Sequence, residues 1–319
     1  MNTLVTVFSG ALSQGVLWGV MALGVYTTYR VLDIADLTVD GSFASGGCVA
    51  AVCLVNGVDP LLSLLLALLA GLLAGAVTGL LHTRCEIPAI LAGILTQLGL
   101  YSINLRIMGR SNTPLLKVDT FISKIKELLP LPADWVITPD MIATIIGGIL
   151  IVVIIIIGMY WFYGTEIGSA IRATGNNEKM VSSLGVNIKS TKMLGLMLSN
   201  GLIALSGALV THSQGYGDVK QGTGAIVIGL ASIIIGEVLL QGWVKLKKKE
   251  SFWIRLMFIV IGSIVYRIVI AVVLQLGLST DDLKLLTAVL VAIALSIPVM
   301  VAKSNQKRRY KTSLRKLGE

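Results

Sequence analysis

Charge is what this sequence has least of. Only 13% of its 319 residues are Asp, Glu, Lys or Arg, where soluble domains carry about 25%. A water-facing surface cannot be built from so few, so lipid is the expected solvent for most of the chain. Histidine is almost missing: His82 and His212 stand in different segments, which excludes a His-Glu-x-x-His metal site. The three cysteines, Cys48, Cys53 and Cys85, are odd in number and lack metal-ligand spacing. They exclude a disulfide framework and read as small packing residues. No Gly-x-x-x-x-Gly-Lys-Ser/Thr stretch occurs, so no phosphate loop is expected and the chain itself should bind no nucleotide or other cofactor. Strand-period alternation is absent from the apolar runs, which excludes a spanning barrel. Residues 1–8 have no basic leader region and no small-residue cleavage site follows, so the first helix is expected to be retained.

What is present is apolar sequence, 55% of the chain. Runs at 8–29, 41–55, 60–82, 87–107, 141–163, 194–212, 223–240, 252–278 and 283–302 approach or reach the roughly 20 residues that cross a bilayer core as a helix. The fold class is all-α: a polytopic helical bundle of about 8 to 10 membrane segments, one or more of them broken or re-entrant, in one domain over 1–302. The run 41–55 is short for a crossing and is the expected break. Gly41, Gly46, Gly47 and the Gly215-Tyr-Gly-Asp218 turn would permit irregular backbone at or near membrane depth; for 213–222 a plain surface loop is an equal alternative. Gly71, Gly75 and Gly79 recur every fourth residue, a face that admits a close helix neighbour, within the chain or in a second copy.

The net charge of +9 is concentrated in short loops and in the basic tail 303–319, which points to membrane orientation and away from nucleic acid. Lys303, Lys307, Arg308, Arg309, Lys311, Arg315 and Lys316 place the C-terminus in the cytosol. Counting back puts the lysines at 245 and 247–249 inside, together with 164–193, which carries Arg172, Lys179, Lys189 and Lys192. Residues 108–140 and Asp281 and Asp282 fall outside, and Tyr160, Trp161 and Tyr163 mark the inner interface. A full crossing by 41–55 places the N-terminus outside; a re-entrant element places it inside.

An ionisable group at the centre of a membrane helix costs about 2.5–3.5 kcal/mol on insertion scales. Arg267 is the deepest such group, and a buried carboxylate or carbonyl, Glu237 among the possibilities, is its expected partner. Gln97, Asn104 and Asn200 are polar positions on helices that could face a pathway, with inter-helix hydrogen bonding the plainer role.

The longest cytosolic connector, 164–193, carries the most information. Asn176 or Asn177 suits a helix cap, Glu178 a first turn and Gly185 a left-handed end, which predicts about two turns between them. Helices below about 12 residues are marginal alone, so this one needs a docking surface; the plain alternative is an amphipathic connector on the inner leaflet. The runs Ile171-Arg-Ala-Thr-Gly-Asn-Asn-Glu178, Leu184-Gly-Val-Asn-Ile188 and Leu198-Ser-Asn-Gly-Leu-Ile-Ala-Leu-Ser-Gly207 resemble the coupling-loop signature of ABC importer permeases. Asp36-Leu-Thr-Val-Asp-Gly-Ser-Phe43 and Ile226-Val-Ile-Gly-Leu-Ala-Ser-Ile-Ile-Ile-Gly-Glu237 are similar to the branch for branched-chain amino acids and simple sugars, and within it to permeases for tryptophan or tyrosine. The resemblance implies a permease dimer in a prokaryotic cell membrane, two cytosolic ATPase subunits that use the ATP, and an extracellular solute-binding lipoprotein. It also implies that Arg172, Gly175, Asn176, Asn177, Glu178 and Gly185 form the ATPase-coupling loop.

Two other functions compete. A gradient-driven carrier would need acidic residues within its helices, and beyond Glu237 and the aspartates at 33, 36 and 40 there are few. An intramembrane aspartyl protease would need a second aspartate facing Asp218, and no helix supplies the Tyr-Asp pair.

Overall fold

Backbone in hydrocarbon must satisfy its own hydrogen bonds, and this chain does so with helices. The computed structural model describes residues 2–116, 118–128, 138–247 and 251–275, with isolated positions between 285 and 296. The helices are α1 (Asn2–Tyr26), continued by a π-helical turn (Thr27–Val31), α2 (Val39–Val55), α3 (Pro60–Thr83), α4 (Ala89–Met108), α5 (Phe121–Leu128), α6 (Pro139–Gly164), α7 (Glu166–Asn176), α8 (Glu178–Ser183), α9 (Ile188–Gln214), α10 (Ala225–Lys247) and α11 (Phe252–Gln275). Two short strands, β1 (Asn112–Pro114) and β2 (Tyr216–Asp218), pair antiparallel with Thr113 opposite Gly217. Among the described residues seven helices are long and apolar enough to cross a membrane, and α2 is a shorter apolar helix. The expected segment 283–302, apart from isolated positions, and the tail 303–319 lie outside the described residues.

α9 is the axis of the bundle, with α1, α2 and α3 packed on it. The recurrent glycines of α3 explain the closest of these contacts. A methyl group on Gly75 would stand 2.4 Å from the carbonyl oxygen of Leu196, and one on Gly71 2.3 Å from that of Asn200. The glycine face is therefore covered by α9 of the same chain, which removes it as a contact between two copies of this chain. Hydroxyls lock other crossings: Ser199 Oγ donates to Gly24 O (2.7 Å), Ser206 Oγ to Leu17 O (2.8 Å) and Ser263 Oγ to Gly15 O (2.8 Å).

The connector α7–α8 lies at one end of the bundle, and β1, β2 and α5 lie at the other, the far face. Asp59 caps α3 at the far face by accepting from Leu61 N–H (2.9 Å) and also pairs with Lys124 of α5. That ammonium holds the Asp59 carboxyl below the usual carboxylate range. His212, near the far end of α9, accepts from Phe121 N–H at Nδ1 (3.0 Å), which leaves Nε2–H to meet Ser63 Oγ (3.1 Å) and fixes α5 over the bundle.

Several expectations change here. Gly41, Gly46 and Gly47 are helical, inside α2, and admit close neighbours: a methyl on Gly46 would lie 1.8 Å from Ala204 O. The breaks fall instead before α2, at 32–38, and between β2 and α10. α2 is not re-entrant, since it runs from Thr38, bonded to Thr78 of α3 (2.7 Å), to Leu54, packed with Leu115 beside β1. Ser9 Oγ meets Met141 Sδ (3.3 Å) in the first turn of α6, so the N-terminal end of α1 is at the far face. Tyr163 faces inward, buried, with its hydroxyl on Thr27 Oγ1 (3.2 Å), while Tyr160 and Trp161 remain exposed. Cys48 is a buried packing residue, but Cys85 is exposed.

Gly75→Val should lower stability by about 1–3 kcal/mol or more, since backbone cannot yield to the added methyls. Gly158→Ala, which meets nothing within 4 Å, should be neutral or stabilising by up to about 1 kcal/mol. Thermal melts of detergent-solubilised protein, followed by size-exclusion chromatography, compare the two.

Candidate functional site

Two places in the bundle combine unusual backbone with polar chemistry, and the first is where helices start inside it. After β2 the chain descends alongside α2: Val219 packs on Cys48, Gln221 Nε2 donates to Gly207 O (3.2 Å), and Gly222 reaches the backbone of Asp40. α10 then begins, and its first amides need acceptors. Asp40 supplies them, accepting from Gly224 N–H at Oδ2 (2.9 Å) and Ile226 N–H at Oδ1 (3.0 Å). Asp40 itself sits in the first turn of α2, so one carboxylate faces the positive ends of two helices.

Asp36 does the same work one step earlier. It is buried; Oδ1 accepts from Thr38 N–H (2.9 Å) at the start of α2, and Oδ2 accepts from Asn200 Nδ2 (2.7 Å) on α9. Asn200 Oδ1 in turn accepts from Ser42 Oγ (2.6 Å). A relay of hydroxyls, Thr38 to Thr78 (2.7 Å) and Thr78 to Thr96 (3.0 Å), joins α2, α3 and α4. Beyond it, a cleft of about 410 Å³ opens between these helices, mainly apolar, with Ser45, Thr96 and Asn104 as its polar lining. Ser45 Oγ donates to Asn104 Oδ1 (2.8 Å), and Asn104 Nδ2 has no hydrogen-bond partner among the described residues. Gln97 is half-buried with its backbone against Gly41. Of the polar positions picked out in the sequence, Asn200 and Asn104 thus both border α2, and Gln97 lies beside them.

Glu237 and Arg267 are not brought together. Glu237 forms an ion pair with Arg30 of the π-helical turn. Arg267 lies over the ring of Trp18, 4.1 Å from its centroid, and Trp18 stacks on Phe43. A desolvated cation on an indole face gains about 2 kcal/mol or more, which is how this guanidinium is held without a carboxylate among the described residues.

The second place is the connector. Asn177, not Asn176, is the cap of α8: its Oδ1 accepts from Met180 N–H (3.1 Å), and Asn176 is the last residue of α7. Gly185, at φ +83°, closes the helix, with its N–H on Ser182 O (3.0 Å) and that of Val186 on Val181 O (3.4 Å). The two-turn expectation holds, though α8 itself is only six residues long. Val181 is buried and anchors it, and Glu178 reaches Lys192 of α9 at 2.5 Å. Met180 and Leu184 are left outward, 52% and 73% exposed. Gly175 brings α7 against the π-helical turn, where a methyl would stand 1.9 Å from Val31 O. Arg172 lies 5.9 Å from the ring centroid of Phe252.

The family model for the permease component of branched-chain amino acid transport systems matches residues 7–298. This chain belongs to that family. The permease is 39% identical over 299 residues to a tyrosine transport system permease protein of Clostridioides difficile (strain R20291), covering 93% of this chain and 94% of that one. It is 33% identical over 298 residues to an uncharacterized protein of Rickettsia prowazekii (strain Madrid E), covering 93% and 98%. No solved structure matches it. Asp36 and Asp40, both in the 36–43 motif and among the acids a gradient-driven carrier could use, serve in this multi-pass transport permease as acceptors for helix-start amides, a role the sequence alone does not assign to them. The available signal was Asp36 two residues before Thr38 at a helix start; nothing local announces that Asp40 caps a helix far along the chain.

Asp40→Ala should cost roughly 1–2 kcal/mol, the range for a lost helix cap, with faster amide exchange at 224–228 by hydrogen–deuterium mass spectrometry. Asp40→Asn keeps one acceptor oxygen and should produce a smaller change in the same peptides.

Proposed function

We propose that this permease is the membrane-spanning subunit of an ATP-binding-cassette importer that carries an amino acid, aromatic by preference, into the cytosol. The observation that carries this reading is α8: a helix too short to stand alone, capped at both ends, anchored on its inner side by Val181 and bare at Met180 and Leu184 on its outer side. An exposed apolar pair on a rigid short helix suits docking by a soluble partner, and the cytosolic ATPase subunit is that partner. In this reading ATP is bound and hydrolysed there, an extracellular binding lipoprotein delivers the solute at the far face, two permease copies assemble, and the C-terminal tail is cytosolic. The name of the Clostridioides difficile relative supports an aromatic solute.

The acidic residues support an importer over a gradient-driven carrier. Asp36 and Asp40 accept backbone or amide N–H groups and Glu237 holds Arg30, so these three carboxyls are occupied by fixed donors. Asp218 lies in β2 opposite Asn112, with Oδ1 accepting from Lys220 N–H (2.6 Å), a turn role and not that of a protease aspartate.

In proteoliposomes holding the permease and its ATPase, loaded binding protein should raise ATP hydrolysis, and uptake should require all three components. Uptake that follows a proton gradient without ATP overturns the proposal. Gly185→Val forces a branched side chain into the left-handed region at about 1–2 kcal/mol, and Glu178→Lys turns the Lys192 ion pair into a repulsion. Both variants should insert normally yet lose the ATPase on affinity co-purification; unchanged co-purification sinks the coupling assignment.

A further inference from the structure

Gln14, Trp18, Met21 and Val25 fall three or four residues apart on α1 and so share one face of it. Toward the connector end α10 covers that face: a methyl on Gly229 would stand 2.9 Å from Val25 Cγ2 and 3.4 Å from Met21 Cε. α10 starts only at Ala225, inside the bundle, so no earlier turn of it rises beside Gln14 and Trp18. α11 supplies what meets them. Ser263 Oγ on Gly15 O (2.8 Å) fixes the crossing of α1 and α11, and one turn beyond Ser263 the guanidinium of Arg267 lies 4.1 Å from the Trp18 ring centroid. Tyr266, next to Arg267, packs on Ala231 in the second turn of α10, which sets this group close to the depth of the buried helix start.

Five buried side-chain polar atoms have no hydrogen-bond partner among the described residues, and four of them belong to this group: Gln14 Oε1, Trp18 Nε1, Tyr266 Oη and Arg267 Nε. Each such atom asks for a partner. The guanidinium also has no carboxylate to answer it among the described residues, since Glu237 is paired with Arg30 while Asp36 and Asp40 accept from amides. Water can satisfy the neutral atoms, but it leaves a permanent charge at membrane depth uncompensated. The set has a definite complement. Two N–H donors, one of them on a cation, suit a carboxylate. Gln14 has its Nε2 tied to Ser213 Oγ (3.4 Å), which leaves Oε1 to accept from an ammonium. A carboxylate beside an ammonium is the head of an amino acid. Trp18 and Phe43, with ring centroids 4.7 Å apart, add an aromatic wall for its side chain.

We propose that Arg267, Trp18 and Gln14 hold the head group of the transported amino acid beside the buried start of α10. Trp18 is buried while Arg267 and Gln14 are half-buried, so a turn of the arginine side chain off the indole opens the place and its return closes it. The site rests on the amino-acid cargo of the importer reading, and its test separates the two.

The purified permease in nanodiscs, without partner proteins, is titrated with radiolabelled L-tyrosine in a scintillation proximity assay, with tyramine and 3-(4-hydroxyphenyl)propionate as competitors. L-Tyrosine should bind saturably. Tyramine, which lacks the carboxylate, should bind about tenfold to a hundredfold more weakly, the range for a lost hydrogen bond to a charged group. Arg267→Gln should weaken L-tyrosine by about that factor and leave tyramine unchanged, so that the discrimination disappears, and Arg267→Lys should keep part of it. Gln14→Leu should instead erase the preference for L-tyrosine over the deaminated acid. Thermal melts check that the variants are folded. An arginine with a structural role alone weakens both ligands alike, and that result overturns the proposal, as does the absence of saturable binding to the unaltered permease. Uptake of L-tyrosine by the permease with its ATPase and binding protein is measured in parallel. Uptake without binding to the isolated permease sinks this site alone; binding without ATP-dependent uptake sinks the importer reading and leaves the site.

Discussion

One carboxylate between two helix starts governs this bundle. A helix that begins inside a membrane leaves its first amides without partners, and hydrocarbon offers none. Asp40 meets those of α10 while sitting in the first turn of α2. Remove that acceptor from consideration and neither the descent from β2 nor a start for α10 at this depth has a physical account. Asp36 extends the arrangement, tying the start of α2 to Asn200 on the central helix. The polar centre of the permease is therefore a consequence of broken helices.

Close packing makes such a centre affordable in stability. α9 carries the small and hydroxyl-bearing residues that let α1, α2 and α3 approach to backbone contact, and its serines satisfy carbonyls across the crossings. The apolar residues left outward, such as Leu73, Leu98 and Ile154, would be a liability in water and are ordinary in lipid. The same solvent argument explains why Arg267 lies on Trp18: with no water to hydrate it, an aromatic face is the available partner.

Much of this was legible in the residues. Apolar run length located most ends of the described crossings within a few positions, because hydrocarbon thickness sets helix length directly; the start of α1, the start of α9 and the end of α10 extend six or seven residues past their runs, where polar residues continue the helix. Asn177 and Gly185 bracketed α8 because caps act through their own neighbours. What escaped were relations between distant segments. Gly46 and Gly47 looked like places for a break, yet a glycine does not say whether it is wanted for its torsion freedom or for a close neighbour; Ala204 and Gln221 decide that in space. Glu237, one of the possible partners for Arg267, pairs with Arg30 instead, because hydropathy gives depth and not azimuth. Tyr163 shared its run with Tyr160 and Trp161 but points to the opposite side of the helix, toward Thr27.

The β1–β2 ribbon is small, yet it changes how the far face connects to the interior. It clasps the loop after α4 to the loop after α9, and Asp218 at its end is six residues from Gly224 on the Asp40 carboxylate. Six residues extend no further than about 20 Å, and Gln221 pins their middle to Thr211 and Gly207. The six residues are folded in consecutive turns, Gln221 N–H on Asp218 O (3.2 Å) and Thr223 N–H on Lys220 O (3.0 Å), so the ribbon and the buried helix start are joined by one short, internally bonded segment that is tied by its side chain to α9.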